Sequence, residues 1–141
     1  MRWVIAVVLA STAFSESGLP ADGVPGPIAA TVLRVIDGDT FEARAEIWPD
    51  IEVTVAVRLA GIDAPELHAP CRRERALAAS ARDLLLREAP PRSVVLLTQI
   101  RHDKYAGRVT AEVRLRDGRA ASSLLLAAGL AAPYGESRSW C

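Results

Sequence analysis

The chain has 141 residues, half of them hydrophobic and 24% charged, which excludes a disordered or collagen-like polypeptide and leaves room for one real core. Lys+Arg and Asp+Glu both number 17, so the formal net charge is zero and the pI is near 6.7. That balance counts against a broad basic surface for gripping nucleic acid, although it leaves a local arginine cluster open.

The N-terminus has the order of a secretory signal peptide: Met1-Arg2 is positive, residues 3–10 are apolar, and Ser11-Thr12-Ala13 are small. Cleavage is expected after Ala13, giving a secreted or periplasmic protein without stable membrane association. The apolar run is too short for a comfortable membrane span. A buried N-terminal strand or an uncleaved anchor is the other reading. Residues 14–28 carry Gly18, Pro20, Gly23, Pro25, Gly26 and Pro27, the composition of a flexible or extended linker. Residues 29–141 then form a single domain.

Residues 28–36 read as a first strand, apolar with Thr31 and Arg34 interspersed. Asp37-Gly38-Asp39 signals a turn, glycine admitting a positive φ and the aspartates bonding their own backbone. A second strand covers 40–47, and Trp48-Pro49-Asp50 breaks it. Trp48 is expected in the core, with a platform for stacking a base as the alternative. In residues 51–60, Val53, Val55, Val57 and Leu59 alternate with Thr54, Ala56 and Arg58. This period of two sets Arg58 on the face away from the valines, where a ligand can meet it.

Residues 61–70 are loop, punctuated by Pro65 and Pro70. From Arg72 the pattern turns helical, with Leu77, Ala81, Leu84 and Leu85 on one stripe. Arg72, Arg73, Arg75 and Arg82 are expected on its solvated face, and Pro90-Pro91 ends it. Residues 93–100 form an apolar strand, 101–107 a polar loop and 108–116 another strand, closed by Asp117-Gly118. A second helix spans 119–128, stopped by Gly129. Residues 130–133 are extended. Three strands, a helix, two strands and a helix, the first three strands joined by connections too short for crossovers, predict a mainly β protein with α elements. The expected form is a five-stranded OB-fold barrel with two or three packed helices.

If the second and third strands pair, Asp39, Asp63, Glu66 and Arg58 converge at one end of the sheet. Three acids and a guanidinium in one place are costly to a fold unless something positive sits among them. A hard cation with oxygen ligands, and a phosphate beside the arginine, satisfy that arrangement. Metal-assisted phosphodiester hydrolysis is the chemistry these residue types point to. Asp37 is read as structural, capping its own turn. Two cysteines, Cys71 and Cys141, suggest a disulfide in an oxidising compartment. Free thiols, or a zinc site with His68 and His102, are the alternatives; both histidines otherwise read as solvated loop residues.

Three blocks carry a resemblance: Ile36-Asp37-Gly38-Asp39-Thr40, Arg58-Leu59-Ala60-Gly61-Ile62-Asp63-Ala64-Pro65-Glu66, and Asp103-Lys104-Tyr105-Ala106-Gly107-Arg108. In that order, followed by Ala128-Gly129-Leu130-Ala131 and Tyr134, they resemble the thermonuclease (staphylococcal nuclease-like) family over about residues 29–134. The resemblance implies an OB-fold, calcium-dependent endonuclease that hydrolyses DNA and RNA. It implies Ca²⁺ held by Asp39, Asp63 and the backbone carbonyl of Ala64, where the family has threonine. It further implies Glu66 as general base, Arg58 and Arg108 as phosphate-binding arginines, and Lys104, Tyr105 and Tyr134 as substrate-pocket groups. Ordinary loop exposure for Lys104-Tyr105, and packing beside Pro133 for Tyr134, are the plainer readings.

The chain departs from the family pattern in three places. Ala106 is an extra residue before Gly107, which a bulge would absorb; the stretch after Glu66 is short; and Cys71 and Cys141 have no counterpart in the cysteine-free type member. A monomer acting on nucleic acid is expected. The competing class is a non-catalytic OB-fold module that holds nucleic acid or a protein partner without cutting.

Overall fold

The computed structural model describes residues 23–136 and 138–141. The expected signal peptide and most of the expected linker lie outside the described residues. The elements run β1 (Gly23–Val24), β2 (Ile28–Asp37), β3 (Thr40–Trp48), β4 (Ile51–Leu59), β5 (Ile62–Asp63) and α1 (Arg72–Glu88). They continue with β6 (Val94–His102), β7 (Arg108–Arg114), α2 (Ala121–Ala127) and β8 (Ala132–Pro133).

Strands β2, β3 and β4 form the antiparallel meander that their short turns dictate. β6 pairs with β2 and with β7, and β7 lies parallel to β4, closing five strands into a barrel. The β4–β7 contact is parallel because α1 and β6 intervene and carry the chain back to the starting end. Mostly antiparallel pairing in an OB-type barrel with packed helices is therefore what the sequence pattern predicted. At the end of the linker-like stretch, Gly23 and Val24 pair with Arg101 and Ile100 on the outer edge of β6.

Period-two alternation fills the barrel: Val32, Phe41, Val57, Leu59, Val95 and Leu97 are all essentially inaccessible. α1 closes one side with Ala78, Ala81 and Leu85, and α2 adds Ala121 and Leu125. The helical stripe centres on these small residues, with Leu77 and Leu84 only partly covered. α2 is shorter than the sequence pattern predicts. Arg119 is drawn into the preceding turn, its N–H on Asp117 Oδ1 and its guanidinium bridging Asp117 and Glu88. Gly129 takes φ 69° just past the helix, the left-handed stop expected of it.

Two expectations are overturned. Trp48 is 69% exposed, not in the core, and Ile47, Ile51 and Val53 beside it are exposed too. The β3–β4 hairpin overhangs the barrel here, since β7 begins to pair with β4 only at Ala56 and, among the described residues, these side chains stay exposed at the tip. Gly38, in turn, is needed for close approach and not for a positive φ. A Cβ there would sit 2.6 Å from the Ala81 Cβ and 3.2 Å from that of Ala64. The turn thus fits tightly between α1 and the loop after β5.

Cys71 and Cys141 are joined in a disulfide, which sets aside both the free-thiol and the zinc alternatives. His68 is exposed, and His102 ends a strand that runs two residues further than expected.

Two stability outcomes follow. Trp48→Ser should change urea-unfolding stability by less than about 0.5 kcal/mol, while Phe41→Ala should cost about 3–5 kcal/mol. Reducing the disulfide, which spans 70 residues, should cost on the order of 4 kcal/mol by the same measurement.

Candidate nuclease cleft

Arg58 is the centre of the site. Register in the β3–β4 ladder sets it opposite Thr40, and the parallel β4–β7 pairing sets it beside Thr110. Its side chain is 16% exposed and emerges at the mouth of a cleft of about 930 Å³. Nη2 bonds Asp63 Oδ1 and the Ile62 carbonyl (3.0 Å) and lies 3.7 Å from Asp39 Oδ2. An acid from the β2–β3 turn and one from β5 thus meet on one guanidinium, as the pairing argument required.

Asp39 is fixed on every side. It accepts from the Thr40 hydroxyl (3.0 Å) and the Ala64 N–H (3.2 Å), while its own N–H donates to Asp37 Oδ1 (3.1 Å). The last bond confirms Asp37 as the cap of its turn. Asp37 also lines the cleft, which the sequence reading missed; the repeated aspartate of the Asp-Gly-Asp turn was the available signal. Burial first, then the nearby Asp39 and Glu66 charges, push its carboxyl from 3.8 up to about 6. Ala64 is itself buried.

Asp63 and Tyr134 arrive together. β5 pairs with β8, Asp63 opposite Ala132, and the Tyr134 N–H donates to the Gly61 carbonyl (2.9 Å). Tyr134 is 69% exposed and its ring lies 5.5 Å from the Arg58 guanidinium carbon, so it flanks the cleft and does not simply pack beside Pro133.

The opposite wall is the β6–β7 loop. Arg108 Nε bonds Asp103 Oδ2 at 2.6 Å, and its guanidinium stacks 4.5 Å from the Tyr105 ring, with Lys104 Nζ at 5.2 Å. The Arg108 N–H returns to the Tyr105 carbonyl, and Gly107 takes φ 76°. The loop so absorbs Ala106 and leaves Arg108 as the first residue of β7. The Asp103 side chain is 7% exposed, and the hydrogen bond from Arg108 holds its carboxyl below the ordinary range. The same bond raises Arg108. Asp103 and His102 also line the cleft and were not among the expected site residues; Asp103 heads the third block, which was the signal for it.

Glu66 is exposed on the loop before α1 and faces the same cleft. The structure therefore brings Asp39, Asp63, Glu66, Arg58, Arg108, Lys104, Tyr105 and Tyr134 to one cavity, whereas Ala64 is buried and outside its lining, joined to it by its N–H on Asp39. Five carboxylates and three cationic side chains line it, an excess of hard oxygen donors.

Fold and site together define an OB-type barrel protein with an acid-and-arginine cleft at one end. The model of the family described as staphylococcal nuclease homologue matches residues 56–139, more than half of the chain. The protein belongs to that family. The match takes in Arg58, Asp63, Glu66, Arg108 and Tyr134 but begins after Asp39, which the β3–β4 pairing brings to them. No curated protein matches the chain.

The lowered Asp103 carboxyl favours the fold at any pH above its ordinary value of 3.8, and that contribution is lost as pH falls through the depressed one. The stability gap between wild type and Asp103→Asn should therefore be constant above pH about 4 and close below it, in unfolding titrations at stepped pH.

Proposed function

We propose that the protein is an exported, calcium-dependent nuclease that hydrolyses phosphodiester bonds of DNA or RNA. The observation that carries this reading is Arg58 bracketed by Asp39 and Asp63 in a cleft that also holds Glu66 and Arg108.

The carboxylates of Asp39 and Asp63, with the Ala64 carbonyl, would hold the Ca²⁺. Bound there, the ion supplies a Lewis acid for a phosphoryl oxygen and offsets charge developing on the phosphate. Arg58 and Arg108 bind the phosphate; each is a planar, permanently charged donor able to engage two oxygens at once. Their carboxylate pairings keep the guanidiniums pointed into the cleft before a phosphate takes them over. Glu66 orients a water and accepts its proton, a task suited to an exposed carboxylate at the cleft wall. Tyr105 and Tyr134, both exposed, offer ring faces to the bases, and Lys104 adds a point charge.

A non-catalytic binding module is the second reading. It is favoured by both arginines being already engaged with carboxylates and by the two exposed tyrosines at the rim. Incubation with plasmid and single-stranded DNA, in Ca²⁺ or chelator, separates the two. The nuclease degrades both substrates only with Ca²⁺; the module retains DNA uncut. Arg58→Ala, Arg108→Ala and Glu66→Gln should each lower the rate about 100-fold or more; Glu66→Gln should leave the melting temperature nearly unchanged, whereas the arginine variants, which strand Asp39, Asp63 or Asp103 without a guanidinium, should lower it as well. Unchanged rates would refute the assignment. N-terminal sequencing of protein recovered outside the cytoplasm should begin at residue 14.

A further inference from the structure

We propose that Glu74 is a positioning residue for Glu66, and that the Cys71–Cys141 disulfide holds Glu74 at that task. This rests on the reading of Glu66 as general base. Glu66 is exposed and lies on a loop, so nothing in regular secondary structure fixes it. Its carbonyl accepts from the Ala69 N–H (3.2 Å), and its N–H donates to Glu74 Oε1 (3.1 Å). That second bond ties the Glu66 end of the loop to α1. The far end has its own anchor, since Arg75 Nη1 donates to the Ala69 and Pro70 carbonyls, both at 2.7 Å.

Glu74 occupies the third position of α1, where a capping box would turn its carboxylate back to the N-cap residue's own N–H. Here it crosses to the preceding loop. The N-cap is Cys71, whose sulfur accepts the Glu74 N–H at 3.4 Å. That sulfur is bonded to Cys141, and the Cys141 sulfur lies 3.6 Å from Glu74 Oε2. A disulfide sulfur has no proton to give that oxygen, so the disulfide acts on Glu74 through the Cys71 N-cap bond, while Oε1 meets Glu66. The helix start, the end of the chain and the water-activating residue are linked in series, Cys141 to Cys71 to Glu74 to Glu66. A shift of the Glu74 carboxylate would move the Glu66 backbone, and small displacements of a catalytic group cost rate far more than binding.

The test is kcat and KM on single-stranded DNA at saturating Ca²⁺, with hydrogen exchange at the Glu66 amide. Glu74→Ala should lower kcat about tenfold or more with KM within about twofold, and should speed exchange at that amide. Glu74→Gln keeps an acceptor oxygen and should stay within about threefold of wild type. Cys141→Ser should fall between them in both readouts. In a Glu66→Gln background, Glu74→Ala should remove nothing more. Wild-type kcat and exchange in Glu74→Ala, or equal losses in the Ala and Gln variants, would overturn the proposal. Absence of cleavage by the wild-type protein would instead sink the nuclease reading, and the Glu66 amide would still decide the contact.

Discussion

One guanidinium sets the terms for everything around it. Arg58 is mostly covered, so its charge must be compensated locally, and Asp39, in the β2–β3 turn, and Asp63, in β5, do this from positions separated by all of β3 and β4. The Thr40–Arg58 register is the geometric condition. A slip of one residue would swing Arg58 onto the apolar face and leave both aspartates without it. Phe41 and Val57, paired in the next rung and fully buried, resist that slip, because it would carry them out to solvent.

The loops that carry the site are held by close approach and by hydrogen bonds. Gly38 lets the Asp37–Asp39 turn press against Ala81 and Ala64. The Ala64 N–H then reaches Asp39, coupling the turn to the loop that carries Glu66. Glu74 and Arg75 pin that loop to α1, and the disulfide ties α1's start to the end of the chain. The opposite wall is a closed unit of its own, Asp103, Arg108 and Tyr105 contacting one another. Preorganised cationic and anionic groups of this sort are what phosphate chemistry uses, because they need little rearrangement when charge develops.

The far end of the barrel is built differently. Beyond Ala56 the β3–β4 hairpin has no β7 alongside, and Ile47, Trp48, Ile51 and Val53 stay open to solvent. Alternation in β4 continues unchanged from Ile51 to Leu59, yet only Val57 and Leu59 are buried. The period marks which face points inward; it does not mark how far the barrel extends beneath it.

By itself the sequence determined the five barrel strands, the long helix, the barrel class and the residue types of the cleft. Local chemistry suffices for these: period-two alternation, prolines and glycines at the breaks, and carboxylates and arginines in short, ordered blocks. Arg58 was legible because alternation alone removes it from the valine face. Only the tertiary structure decided that Trp48 is bare, that Gly38 is needed for a neighbour and not for its own φ, and that Asp37, His102 and Asp103 join the cleft. Each of these depends on which element lies opposite, a relation between residues far apart in the chain. The service of Glu74 to Glu66 belongs here too: in the sequence it is one more charged residue on a helix, and its partner appears only when the loop folds back onto the first turn of α1.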